Sequence, residues 1–229
     1  MSGENLTQML ARKSAALTYE ALPPQAHELA RQCILDYFGV AVAGAGDELV
    51  RLLLDELTEA GGAPQASVIG RQTRLPALSA ALVNGAAGHA LDYDDVNMAM
   101  PGHPSVAILP GLLALAELRR GSGREVITAF VAGYETACRI GAALQPGHYN
   151  LGFHSTGTVG AFGAAAACAR LLGLDAEATA IALPGSRTLR GRAELNWKYV
   201  IRASAMNATP MTSINSWSRA IRLRMRSSL

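Results

Sequence analysis

A chain of 229 residues, half of them hydrophobic and 17% charged, is long enough for one substantial domain and too apolar to be disordered. The formal charge of +2 conceals an asymmetry, with 11 Lys+Arg against 17 Asp+Glu up to Leu183 and nine against one from Pro184 onward. No apolar run reaches the ~20 residues that a membrane span needs, and the start MSGENLTQMLARKSAAL lacks the regions of a secretory signal, so the expected location is cytoplasmic.

Up to Leu183 the apolar residues recur at helical spacing almost throughout. After an early amphipathic stretch, Leu22-Pro23-Pro24 opens a helix whose apolar face runs Ala26, Leu29, Ala30, Cys33, Ile34, Tyr37, Ala41; Gly44 and Gly46 end it. Asp47 to Ala60 follows, with Leu49, Leu52, Leu53 and Leu57 in phase, and Gly61-Gly62 stop it. Ala66 to Ile69 reads as a short extended piece among Gly and Pro. Pro76 suits the first position of a helix through Ala80, Val83, Ala87 and Leu91. Pro104 does the same for Val106 to Leu118, where Pro110 is expected to kink the helix or delay its start. Glu125 to Leu144 and Ser155 to Leu172 predict two more long helices, and Asp175 is a plausible N-cap for a last one. Small Ala and Gly side chains from Pro76 onward let helices approach closely, so the fold class is all-α, a compact bundle.

Cys33, Cys138 and Cys168 are odd in number and set among Ala, Ile and Leu, which reads as buried reduced thiols. Neither CxxC nor HExxH occurs, so no dedicated zinc site is expected. Chemistry concentrates elsewhere: four of five histidines, His89, His103, His148 and His154, fall in one third of the chain. His103 (in Pro101-Gly102-His103-Pro104-Ser105) and His154 (in Gly152-Phe153-His154-Ser155) sit in turns that lead into helices. Helix N-termini offer unpaired N–H groups to carboxylates, and a histidine there can serve as general acid or base. Between them lies Leu91-Asp92-Tyr93-Asp94-Asp95. One of these carboxylates could orient a histidine, while the others are expected to cap helices or face water. A metal set of His89, Asp92, Asp95 and His103 matches no standard ligand spacing. The aspartate-rich motif of isoprenoid synthases is excluded too, since Val96-Asn97-Met98 supplies no third carboxylate for magnesium.

Taken together, these segments resemble the MmgE/PrpD family, whose members include 2-methylcitrate dehydratase, cis-aconitate decarboxylase and iminodisuccinate epimerase. The matching stretches are Ala81-Leu82-Val83-Asn84-Gly85, His89-Ala90-Leu91-Asp92-Tyr93-Asp94-Asp95, Gly102-His103-Pro104-Ser105, Ala132-Gly133-Tyr134-Glu135 and Gly152-Phe153-His154. Gly160-Ala161-Phe162-Gly163-Ala164-Ala165-Ala166, Leu171-Leu172-Gly173-Leu174 and the early Leu35-Asp36-Tyr37-Phe38-Gly39-Val40 complete the match, from about Leu10 to Leu183. The resemblance implies an all-helical domain carrying most of an active site, followed in full-length members by a second α+β domain that is missing here. It implies homodimers and lyase or isomerase chemistry on small di- and tricarboxylates, with no cofactor and no metal. By motif, Asp92, His103 and His154 match the family's catalytic positions, the two histidines as acid and base and Asp92 as the group that positions or polarises one of them. The activity expected is that of a 2-methylcitrate dehydratase-like lyase; decarboxylation, epimerisation, or an inactive remnant or helical interaction module are the alternatives.

Two departures stand out. Val96-Asn97 occupy the place where many members carry Thr-His, and no Lys-Pro-Leu-His segment follows Leu183, since Lys occurs only at Lys13 and Lys198. The chain therefore divides into a family-like domain over 1–183 and a basic tail over 184–229, with an interrupted reading frame or truncation expected near Leu183–Pro184. The tail's arginines lack a recognisable folded platform, so nucleic acid is not an expected partner.

Overall fold

The computed structural model describes residues 6–183; residues 1–5 and the basic tail over 184–229 lie outside the described residues. Ten helices and one minimal hairpin make up the described part: α1 (Leu6–Ala16), α2 (Pro24–Gly44), α3 (Glu48–Glu59), β1 (Ala66–Ser67), β2 (Arg74–Leu75), α4 (Ala77–His89), α5 (Pro104–Arg119), α6 (Gly123–Leu144), α7 (Gly147–Asn150), α8 (Ser155–Thr158), α9 (Gly160–Leu171) and α10 (Ala176–Ala182). The all-α expectation holds. The extended piece at Ala66 pairs antiparallel with Leu75, two residues a side, and Asn84 on α4 pins it, accepting from the Ile69 N–H and donating to the Ser67 carbonyl.

The helix ends follow from capping chemistry. Asp47 accepts from the Leu49 N–H at 2.8 Å and Asp175 from the Ala178 N–H at 2.8 Å, each satisfying one of the orphan donors of a first turn. Ser122 and Glu125 form a full capping box at the start of α6.

Helix α5 is the axis of the core. Eleven of its 16 residues are buried, and Ile108, Leu109 and Leu112 are fully inaccessible; burying each such side chain contributes ~1.5–3 kcal/mol. This is why Pro110 neither delays the helix nor ends it: α5 starts at Pro104 and runs through Pro110. Burial on nearly every side outweighs the ~3 kcal/mol an interior proline costs.

Helix α6 lies against α9 with almost no side chain between them. A Cβ on Gly133 would stand 2.5 Å from the Gly163 carbonyl oxygen, and one on Gly163 would stand 2.9 Å from that of Gly133. Only glycine lets the two backbones touch there. The segment expected as one helix from Ser155 to Leu172 is divided at Val159 into α8 and α9. The join is tightened by an i→i+3 bond from the Phe162 N–H to the Val159 carbonyl, and Val159 is buried with Met100 and Ala137. On the other side, α1 packs Leu10 and Ala11 against Ala165, Ala166 and Leu183.

Candidate active site

The site grows out of the link between α4 and α5. His89 is the last residue of α4 and His103 the N-cap of α5. The chain between them turns back through Asp92, which holds a left-handed φ of 50°. Asp94 is thereby carried inward, its side chain 1% exposed, while Asp92 points out with a side chain 79% exposed.

Asp94 faces two imidazoles. His89 Nδ1 lies 2.9 and 3.1 Å from its two carboxylate oxygens. His103 Nδ1 lies 3.2 Å from the Asp94 backbone carbonyl and 3.4 Å from Oδ2. The rings meet edge to face with centroids 4.9 Å apart. On the far side of the His103 ring, Nε2 is 3.5 Å from Asp92 Oδ1. Expected to cap or face water, Asp94 does neither; it fills the orienting role. Asp95 belongs to a different network and not to the histidine cluster. Its carboxylate accepts from the Ser105 N–H (3.1 Å) and Ser105 hydroxyl (2.7 Å), with the Tyr134 hydroxyl at 3.4 Å. Asn97 Nδ2 donates to that same Tyr134 oxygen.

The first two positions of α5 offer no free amide to a substrate carboxylate. Pro104 has no N–H, and the Ser105 N–H is already taken by Asp95.

His154 arrives from the other side. It is the N-cap of α8, and its turn is fastened to the His103 turn by one bond, from the His103 N–H to Thr156 Oγ1 at 2.9 Å. Gly102 makes that contact feasible, since a Cβ there would stand 2.7 Å from Thr156 Oγ1 and 2.9 Å from its nitrogen. His148 supports the same turn. Thr158 donates its hydroxyl proton to the His154 carbonyl, so His148 Nε2 must be the donor in the 2.7 Å contact to that oxygen. Phe153 stacks on the His148 ring.

The electrostatics push the histidines apart. The bond to Asp94 raises the His89 pKa, more than offsetting the effect of burial. Burial lowers that of His154, and the positive charges of His89 and His103 lower it further. Burial raises the Asp95 carboxyl, with the Ser105 bonds opposing it. Of the three free thiols expected to be buried, only Cys168 is; Cys33 and Cys138 are half-buried, and burial lifts Cys138 to about 11 and Cys168 to about 12.

The structure therefore brings together Asp92 and His103, and sets His154 within electrostatic reach of both. The sequence of the MmgE/PrpD N-terminal domain matches residues 8–194. The chain belongs to the MmgE/PrpD family. Among curated MmgE/PrpD-type relatives, the cis-aconitate decarboxylase-like protein oryM of Aspergillus oryzae is 31% identical over 186 residues, covering 76% of this chain and 38% of that protein. Mouse cis-aconitate decarboxylase is 35% identical, with 67% of this chain and 33% of the relative covered. The human protein is 33% identical, with 79% and 39% covered. The chain thus spans less than two fifths of the length of these relatives.

Asp94, Thr156, Tyr134 and His148 were not picked out as site residues from the sequence. The signals available were, for Asp94, its place in a run of three near-adjacent carboxylates, for His148 its place among the clustered histidines and for Tyr134 the Ala132-Gly133-Tyr134-Glu135 stretch; Thr156 shows only as a neighbour of His154.

Proposed function

We propose that this MmgE/PrpD domain provides the acid/base part of a lyase site for small unsaturated tricarboxylates, with cis-aconitate decarboxylation as its reaction. One observation carries the reading: a buried carboxylate, Asp94, shared by two imidazoles, of which His103 keeps Nε2 for exchange. The activity for which the mammalian relatives are named supports the choice of decarboxylation over other family chemistries.

Decarboxylation breaks one C–C bond. The carboxylate leaves as CO2, its bonding electron pair moves into the unsaturated chain, the double bond shifts, and a proton must arrive on carbon. A positioned acid is what that step needs. The His89–Asp94–His103 unit holds a proton, and Nε2 of His103 is the atom from which it would pass, with Asp92 alongside. His154, kept toward its neutral form, lies across from that acid; as a base it has a proton to take only in the dehydration considered next.

Dehydration of 2-methylcitrate is the second reading. The opposite displacement of His89 and His154 favours it, because removing a C–H proton while protonating a departing hydroxyl needs a base and an acid together.

The test incubates the chain with cis-aconitate and with 2-methylcitrate, following CO2 release and unsaturated-acid absorbance. His103→Ala and His154→Ala are each expected to cut the rate by ~10²–10⁴-fold. CO2 release that survives both substitutions overturns the assignment, and dehydration without CO2 release selects the second reading.

A further inference from the structure

The two clustered histidines are both tied back through the same ring atom. His89 Nδ1 faces the Asp94 carboxylate at 2.9 Å, and His103 Nδ1 faces the Asp94 backbone carbonyl at 3.2 Å. Each acceptor calls for a proton on Nδ1, which leaves an Nε2 lone pair on each ring. That is the tautomer in which histidine binds a metal ion. A carboxylate or carbonyl behind the Nδ1–H is the usual means by which such a ligand is oriented and made more basic.

A third donor stands in place. Asp92 Oδ1 is 3.5 Å from His103 Nε2. Two ligand atoms on a tetrahedral ion, each ~2.0–2.1 Å from it, lie ~3.3–3.4 Å apart, so this edge already has nearly the right span. One donor atom from each of His89, Asp92, Asp94 and His103, either ring nitrogen counting for a histidine, falls within 4.8 Å of all the others. Asp92 is the exposed and most adjustable of the four. The sequence reading had paired the histidines with Asp92 and Asp95; the fold substitutes Asp94 and sends Asp95 to Ser105.

We propose that His89 Nε2, His103 Nε2 and Asp92 form a binding site for one zinc-class divalent ion, with Asp94 as the carboxylate behind His89. Two imidazole nitrogens select a borderline ion over Mg2+ or Ca2+, which take oxygen ligands. A bound ion occupies the lone pairs that proton exchange uses, so it acts as an inhibitor. That consequence rests on the acid/base reading above; the binding itself does not.

The experiment titrates the metal-free, full 229-residue chain with Zn2+ by calorimetry and with Co2+ by visible absorption. One equivalent binds, and Co2+ develops the intense d–d bands of a tetrahedral N/O site. Asp92→Asn, which alters an exposed side chain and leaves packing intact, weakens affinity by at least ~10-fold, and Asp94→Asn by ~10–100-fold. His89→Ala removes the site, and His27→Ala on α2, bonded instead to the Tyr19 carbonyl, leaves it unchanged. Absence of binding, or binding indifferent to Asp92→Asn and His89→Ala, overturns the proposal. Zn2+ that binds without slowing CO2 release defeats the acid/base reading and leaves the site standing. Activity that needs His103 in a chain that binds no ion does the reverse.

Discussion

Replacing Asp94 with Asn isolates the charge of the buried carboxylate from its shape. The side chain is 1% exposed and accepts from His89 Nδ1 at 2.9 Å. An asparagine oxygen can still accept from a neutral imidazole, so the bond survives at high pH. What is lost is the charge-assisted form, which contributes ~1.5–3 kcal/mol where a neutral bond contributes ~0.5–1.5 kcal/mol. The His89 pKa is raised in the folded state. Its stabilisation is therefore fully present below the unfolded value of about 6.5 and is lost as pH rises through the folded value. Asp94→Asn should then cost ~1–2 kcal/mol more near pH 5.5 than near pH 8.5. Denaturant midpoints of both proteins at the two pH values give the comparison, and an imidazole titration by NMR should show the His89 resonance moving to lower pKa. A loss that is equal at both pH values, or larger at alkaline pH, refutes the pairing.

Other substitutions probe the frame around the site. Gly102→Ala forces a Cβ to 2.7 Å from Thr156 Oγ1; it should cost ~1–3 kcal/mol by thermal unfolding and slow catalysis by moving both histidine turns. Thr156→Val leaves the His103 N–H without its acceptor and should cost ~1–3 kcal/mol in the same assay. Ser122→Ala breaks the capping box of α6; a loss of ~1 kcal/mol with unchanged kcat is expected, because the cap lies about three helical turns from Tyr134, where α6 reaches the site.

The helices were legible because their signals are local. Leucine periodicity and the Gly61-Gly62 stop marked α3, which Asp47 caps, and Asp175 announced α10 by capping chemistry; Ser122-Gly123-Arg124-Glu125 carried the same kind of signal for α6, two residues before the expected start. Pro110 does not delay α5 because its local cost is set against burial that only the assembled core supplies. Val159 was invisible in the sequence because its own φ and ψ are helical. Within the site, motif order pointed to His103, His154 and Asp92, but three carboxylates in a row look alike in sequence. The left-handed turn at Asp92 decides which of them is buried, and nothing in Asp92-Tyr93-Asp94 declares that turn beforehand.

The sharing of Asp94 limits what the two imidazoles can store. One buried negative charge compensates one imidazolium; a second proton on the pair would meet a like charge with ring centroids 4.9 Å away. The buried charge of Asp94 therefore balances one surplus proton on the pair, and a second would rely on the exposed Asp92 beside His103 Nε2. Dehydration returns a proton to the site for each one it uses. Decarboxylation consumes one from solvent every cycle. With histidine side chains 23% and 16% exposed, the unit must refill through a narrow aqueous edge. Under decarboxylation, a solvent isotope effect on kcat would report this refilling as well as the chemistry.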